Sequence, residues 1–461
     1  MVLIGGGVSN AYGDTFIIPL VTVGTRYDSN VFLIPKTNGF KREDIVSTIV
    51  PQINVLNRGD LVQTSMQIAG IGEKYENNPG LDYFGGSGRL ALNLDRLVQR
   101  YTPNLTLTIS DGAFYTPNAP AFSTPAFGED PSALGRGIQV VRVNTFSNSA
   151  AIVGTYRFTP ATTFRVGYNN QMIRFGHSYV DTGGRGLVDT NTHTLNAGPF
   201  IQVNVSDTIG VYYTWQRVKF LGGQAAGLQD DYEAHGGNLS WQRIWIPEFR
   251  TNTFAGATVI TSGGGAGGSG SSGSQSPNNL VVYTGGFSAF WSDLVPTTVP
   301  QNPLIGAAGG SGGFGQGGSA GAMMGGASIF GTGARTTAVF SYSAGVYPGY
   351  YGAGVPLLSH VVTTTGTRRL GQSWAVVVSG DYARNDSLIS GSGEGSNISF
   401  QAYGGRSSLT YMVMTGLFVS LTGDYHKFEG EGLALGGALS GAQVAVDRYV
   451  GMISLTKMWL P

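Results

Sequence analysis

The segment Asp447-Arg448-Tyr449-Val450-Gly451-Met452-Ile453-Ser454-Leu455-Thr456-Lys457-Met458-Trp459-Leu460 decides the fold. Tyr449, Ile453, Leu455 and Trp459 recur on one face at period two, while Ser454 and Thr456 fall on the other. Finishing on aromatic and apolar side chains after many similar segments, it reads as the last strand of a bacterial outer-membrane β-barrel.

Three further segments carry the same alternation most clearly. Leu105, Leu107 and Ile109 alternate with Thr106, Thr108 and Ser110; Leu90, Leu92 and Leu94 alternate with Arg89, Ala91, Asn93 and Asp95. Leu417, Val419 and Leu421 alternate with Phe418, Ser420, Thr422 and Asp424. Helical spacing would scatter these leucines around a cylinder, whereas a strand gathers them on one side. Weaker alternation runs through Val21–Tyr27, Ile45–Leu56, Val62–Lys74, Phe164–Arg174, Ile209–Phe220, Leu239–Ile246 and Trp374–Asp381, and no segment argues for a helix.

Composition agrees with this class. The 461 residues include 73 glycines, 22 tyrosines and 23 phenylalanines, with only 12% charged residues. Mean hydropathy is +0.03, as expected when lipid-facing and lumen-facing positions cancel. No apolar run approaches the ~18 residues of a transmembrane helix. The absence of cysteine excludes disulfides, thiolate metal sites and covalent haem attachment. With 27 basic and 27 acidic residues the net charge is zero, which offers nothing to attract nucleic acid. The start, Met1-Val2-Leu3-Ile4-Gly5-Gly6-Gly7, has no basic segment and too short an apolar core for a signal peptide, so export is implied by the barrel pattern.

Connections fall into two populations. Tight turns are read at Asn57–Asp60, Tyr101–Asn104, Thr159–Thr162, Val205–Asp207, Ile246–Glu248, Thr367–Gln372 and Met412–Gly416. Long excursions are read at Pro117–Gly137, Tyr179–Leu187, Gly222–Asp231, Ser262–Asn278, Ser387–Asn397 and Phe428–Gln443. Alternating short and long connections indicate an all-β, transmembrane, antiparallel up-and-down barrel, with short periplasmic turns, long Gly-rich extracellular loops and both termini periplasmic. Counting hairpins gives about 18 strands, with 16 also admissible because the number is even. The whole of 1–461 is then one domain, with 1–15 a periplasmic N-terminal segment. Pro296–Thr336 breaks the scheme: parity makes it a periplasmic turn, yet it is long and rich in Gly, Ser and Ala, which leaves a plug, a disordered insertion or an undetected hairpin. Gly263–Ser274 has the composition of a flexible loop tip.

Two arms repeat one scheme. Leu370–Tyr382 and Met414–Tyr425 each run from a turn through apolar alternation to Gly-Asp-Tyr. Tyr101-Thr102-Pro103 and Phe158-Thr159-Pro160 each place an aromatic before a Thr-Pro turn, where an interfacial girdle is expected.

The N-terminal part resembles a known group. Pro19–Leu33, with Arg26-Tyr27-Asp28-Ser29-Asn30-Val31-Phe32, then Ile49–Val55 and Asp111–Pro117, is similar to the opening of the β-barrel porin 2 group of outer-membrane proteins. The likeness covers 19–117, and 366–460 only as generic hairpins. It implies a barrel and porin-like transport, without a substrate; the Gly-rich loops and Pro296–Thr336 depart from it.

Catalytic and metal chemistry finds no support. His177, His193, His235, His360 and His426 show no ligand spacing, and most of them are read as loop or rim residues. Gly312–Gly318 matches phosphate-loop patterns without a following Lys-Ser/Thr. Catalytic, cofactor and metal sites are therefore expected to be absent, and the chain is not expected to be an enzyme. Charged and amide side chains at inward positions are the pore-lining candidates, because Arg or Lys facing lipid at mid-depth costs about 2–4 kcal/mol. They are Gln63, Gln67, Arg89, Asn93, Asp95, Arg165, Asn169, Gln171, Asp381 and Asp424. They either solvate the lumen and pair among themselves or form a constriction; their mixed signs argue against strong ion selectivity. Trp215, Trp241, Trp245, Trp374 and Trp459 read as girdle residues, with a sugar-stacking slide along the lumen as the alternative.

The expected function is an outer-membrane, porin-like channel for passive diffusion of small polar solutes. The alternatives are a structural sleeve holding a periplasmic cytochrome or an exopolysaccharide-secretion component, and a surface or array-forming barrel with a plugged lumen. Expected partners are outer-membrane lipid and lipopolysaccharide, small solutes, further copies of the chain, or a periplasmic or surface protein, and no nucleic acid.

Overall fold

The computed structural model describes residues 9–10, 13–32, 43–116, 143–178, 189–221, 231–262, 279–293, 335–348, 356–388, 399–431 and 444–459. Eighteen long strands build it. The first six are β1 (Gly13–Asp28), β2 (Asp44–Gly59), β3 (Gln63–Tyr75), β4 (Tyr83–Asn93), β5 (Leu105–Thr116) and β6 (Val143–Arg157). Next come β7 (Thr162–Ser178), β8 (Asp189–Gln202), β9 (Asp207–Leu221), β10 (Tyr232–Ile246), β11 (Phe249–Ser262) and β12 (Asn279–Ser292). The last are β13 (Thr336–Pro348), β14 (Pro356–Leu370), β15 (Trp374–Ser387), β16 (Ser399–Met414), β17 (Leu417–Glu431) and β18 (Val444–Met458). Each pairs antiparallel with the next in sequence, and β18 pairs with β1, so the sheet is a ring. Closure gives every one of these strands a paired neighbour on both sides, which is what a membrane demands of a sheet.

The ladders sort side chains by face. One row runs Leu409, Leu421, Ile453, Thr25 and Ser47 across β16, β17, β18, β1 and β2, and its large apolar members are exposed on the outside. The row beside it runs Thr410, Ser420, Ser454, Gly24, Thr48 and Glu73 on into β3, and its side chains are buried. Cross-strand hydroxyl pairs line this inner face: Thr410 with Ser420 at 2.9 Å, Ser408 with Thr422 at 3.0 Å, and Thr22 with Thr456 at 2.9 Å. Gly24 is required where it stands, since a Cβ there would meet the Ile453 carbonyl at 2.9 Å.

The two ends differ as the sequence pattern predicts. Short turns join β2 to β3, β6 to β7, β8 to β9, β10 to β11, β14 to β15 and β16 to β17. Both described chain ends lie on that side. The excursions read at Pro117–Gly137, Tyr179–Leu187 and Gly263–Ser274, and most of the others, lie outside the described residues, as does nearly all of Pro296–Thr336. The feet of that last connection are described: the Arg335 amide donates to Asp293 at 2.8 Å, and Asp293 donates back to the Thr336 carbonyl.

Several local expectations change. A five-residue helix, α1 (Asp95–Gln99), fills the β4–β5 connection where no helix was expected, and a 3-10 turn covers Pro79–Leu81. Strands run further than the turn residues suggest: β14 continues through Leu370, β16 through Met414 and β17 through Glu431, because the ladder keeps pairing past polar residues. β1 begins at Gly13, inside the segment expected to precede the barrel. His177, His193, His235, His360 and His426 all lie on strands and none in a loop.

Aromatics band the outside. Trp241, Trp245, Trp291, Trp374 and Trp459 sit toward the short-turn end, where Tyr101 and Phe158 also lie exposed. Trp215 is outward but higher on β9, opposite His235. All the described tryptophans therefore lie off the inner wall, which overturns the sugar-stacking slide. Toward the long loops, Tyr168, Tyr213 and Tyr342 each share a hydroxyl contact with a histidine on the next strand, His193, His235 and His360.

Candidate functional site

The inner wall is the only described surface where charged groups converge inside the ring. Its centre is the Gly-Asp-Tyr repeat. Gly380-Asp381-Tyr382 lies on β15 and Gly423-Asp424-Tyr425 on β17, so the two copies flank β16. Asp381 pairs across to Gly404 and Asp424 to Arg406. Strand alternation turns both aspartates inward and both tyrosines outward. Arg406 Nε lies 2.7 Å from Asp424 Oδ1, and Arg406 also acts electrostatically on Asp381. Gly404 makes the cluster possible: a Cβ there would lie 2.6 Å from His426 Nδ1 and 2.8 Å from Asp381 Oδ1, so the bare backbone lets β15 and β17 lean over β16.

A second group continues the belt across the join of the ring. Arg448 on β18 donates through Nε and Nη2 to the Asp28 carboxylate on β1. Asp28 lies 3.9 Å from Arg26 Nε, Arg26 binds both Glu73 oxygens, and the Tyr75 hydroxyl donates to Glu73 at 2.7 Å. These groups are deeply buried, with Arg26 4% and Asp28 1% exposed, and such charges persist only when paired. Arg406, Asp424 and Arg448 keep 12–17% of their side-chain surface and are the members a solute could reach.

The residues singled out from sequence fall as follows. Gln63 faces Asn93 and Gln67 faces Arg89 at inward positions of β3 and β4. Asn169 accepts from Ser149 Oγ at 3.2 Å, and Gln171 lies between Ser149 and Thr192. Arg165 stacks over the Phe200 ring at 4.7 Å; Phe200 in turn stacks on Tyr212 with ring centroids 6.3 Å apart. This aromatic pair stands near the short-turn end of β7–β9, on the opposite side of the ring from Arg406. Asp95 departs from expectation. It is not an inward strand residue but opens α1, where it accepts from the Leu107 amide at 2.8 Å while its own amide donates to Asn93. The alternation through Leu94 breaks there because the chain is already turning.

Arg26, Asp28, Glu73, Arg406, His426 and Arg448 were not singled out. A signal existed, since Asp28, His426 and Arg448 adjoin outward tyrosines Tyr27, Tyr425 and Tyr449 and so must point inward. Among the described residues no group of three or more His, Cys, Asp and Glu side chains could hold a metal ion.

No protein-family model and no curated protein matches this sequence, so the likeness to the β-barrel porin 2 group rests on the quoted residues alone. Among solved structures the chain is similar to OccK2 (OpdF) of Pseudomonas aeruginosa, at 11% identity over 96% of this chain and 98% of that one, with a TM-score of 0.40. It is similar also to OccK1 (OpdK) of the same organism, at 9% identity over 96% and 99%, TM-score 0.42, and to OccAB3 of Acinetobacter baumannii, at 10% over 96% and 99%, TM-score 0.38. OccK2 has been solved in complex with glucuronate and OpdK with vanillate. Likeness at this level carries neither a residue role nor a solute over to this chain.

Proposed function

We propose that this chain is a porin-like channel of the bacterial outer membrane, related to the β-barrel porin 2 group, with its short turns and termini periplasmic, passing small polar solutes by diffusion. The observation that carries the reading is the inner wall: a closed ring of 18 strands whose inward positions hold Ser, Thr, amides and charges of both signs. A ring of that size encloses an aqueous channel unless something fills it. Gln63, Gln67, Arg89, Asn93, Arg165, Asn169, Gln171, Asp381 and Asp424 would line the path, with Arg406 between the two aspartates. A sleeve around a protein partner is less well supported, because it would gain nothing from this inward charge.

Planar-bilayer recording tests the reading. Steady conductance from the intact protein supports it. A silent barrel that conducts only after removal of 296–334, which spares the Asp293–Arg335 foot, would overturn it in favour of a plugged barrel.

A further inference from the structure

The ring is not sealed by its ladder everywhere. Between β12 and β13 pairing runs from Ser292↔Thr337 up to Gly285↔Ala344 and stops. Both strands continue: Asn279–Thr284 of β12 stays paired to β11, and Gly345–Pro348 of β13 stays paired to β14. Pro348, which has no N–H, stands opposite Pro356 and suits a strand end that takes no further partner.

Side chains close what the ladder leaves open. Val218, Tyr232, Ala234, Ile260 and Val282 hold inward positions on β9–β12 and form one buried apolar cluster, with Phe220 and Leu280 packed on it. Val346 of β13 is buried in the same cluster, and Leu358 of β14 packs against it. By ladder parity Val346 and Leu358 belong to the outward face, since they share it with Tyr342 and His360. Outward residues of β13–β14 can touch inward residues of β9–β12 only if the upper ends of β13 and β14 tuck behind β12. The seam is therefore a lap joint, greased on both sides. Outside it stand Val281 and Tyr283, the latter 81% exposed.

We propose that this lapped seam is a lateral gate through which a single-chain amphiphile, a fatty acid or similar compound, passes between the lumen and the surrounding lipid. The other strand pairs keep their ladders along most of their described length, with short gaps as at Val50–Pro51, and separating a ladder inside a membrane would strand its polar groups. Here only apolar contacts separate, and an acyl chain sliding between the two faces replaces them in kind. The occupant follows from the setting: the outer side opens onto hydrocarbon, and behind the seam lies a buried apolar cluster that includes Val218, Tyr232, Ile260, Val282 and Val346. The inference stands on membrane residence and not on polar permeation.

A diazirine-bearing palmitic acid, photolysed with the whole protein in nanodiscs, reads the route. Labels are expected on inward Val218, Tyr232, Ile260 and Val282. Labels confined to outward Val281 and Tyr283 would overturn the proposal. The chain has no cysteine, so Thr284→Cys with Gly345→Cys can be cross-linked cleanly to lock the seam. Locking should cut inner-wall labelling at least several-fold, reduction should restore it, and a Ser288→Cys with Ser341→Cys cross-link in the laddered part should leave it unchanged. Inner labelling indifferent to the lock would also overturn the gate. Bilayer conductance of the locked protein reports the polar channel separately.

Discussion

Arg448 and Asp28, separated by 420 positions in sequence, meet through a charge-assisted fork where the last strand closes on the first. The join has other ties: the Asn30 side-chain amide donates to the Asp447 carbonyl at 3.1 Å, and the Tyr449 amide donates to Ser29 Oγ at 2.8 Å. The fork differs from these because both partners are charged and Asp28 is 1% exposed, so removing one partner strands a charge. Arg448→Met should therefore cost about 3–5 kcal/mol, while Arg448→Met with Asp28→Asn should cost less than the sum of the two single changes. Urea midpoints of the refolded barrel in lipid measure both; additivity would show that the fork does not tie the seam.

Arg406 separates two aspartates, and its loss should change what the wall attracts. Arg406→Gln leaves Asp381 and Asp424 without the cation between them. The reversal potential in a potassium chloride gradient should move toward cation preference by several-fold in permeability ratio. Asp381→Asn with Asp424→Asn should move it the other way. Equal reversal potentials for all three proteins would place this cluster away from the permeation path.

The glycines of the two repeat turns look alike in sequence and differ in cost. Gly371 has φ +73° with open space around it, and Gly416 has φ +78° with the Met458 carbonyl against the position of a Cβ. Gly371→Ala should cost about 1–2 kcal/mol, the strain of a left-handed residue. Gly416→Ala should cost more, because crowding against the last strand adds to that strain. Unfolding midpoints compared side by side settle the difference, and equal losses would mean that the chain end yields freely.

How far sequence reaches can be argued from these same residues. The strands around Leu417, Leu421 and Ile453 are legible because lipid demands an apolar face and the lumen permits a polar one, which imposes period two. The Gly-Asp-Tyr repeat is legible as repetition, and it marks β15 and β17 before any contact is known. What lies between them is not: Arg406 belongs to Asp424 only through register, and nothing local states that Glu73 answers Arg26 from 47 positions away. Asp95 misled because alternation continues for two residues into a turn. The β12–β13 seam is invisible for the same reason as the fork, since both depend on which strands meet and how far they stay together.

The three tyrosine–histidine pairs repeat one diagonal placement. Tyr168, Tyr213 and Tyr342 sit on β7, β9 and β13; each histidine sits on the following strand, two positions toward the long loops from the residue facing the tyrosine. The hydroxyl to Nδ1 distances are 2.8, 2.6 and 3.1 Å, and the ring centroids stand 6.2, 6.2 and 6.3 Å apart. Tyrosine suits the boundary between hydrocarbon and headgroups, and the histidine gives its hydroxyl a partner that water need not supply. Each Tyr→Phe change removes one hydrogen bond and keeps the ring, so each should cost about 0.5–1.5 kcal/mol. The pairs share no partner, so Tyr168→Phe, Tyr213→Phe and Tyr342→Phe together should cost close to the sum. Urea unfolding in lipid vesicles checks this, and the control is His360→Phe, which keeps an aromatic but removes the hydroxyl's hydrogen-bond partner. A triple variant as stable as the parent would reduce the pairs to packed rings whose hydroxyls are equally well served by headgroups and water.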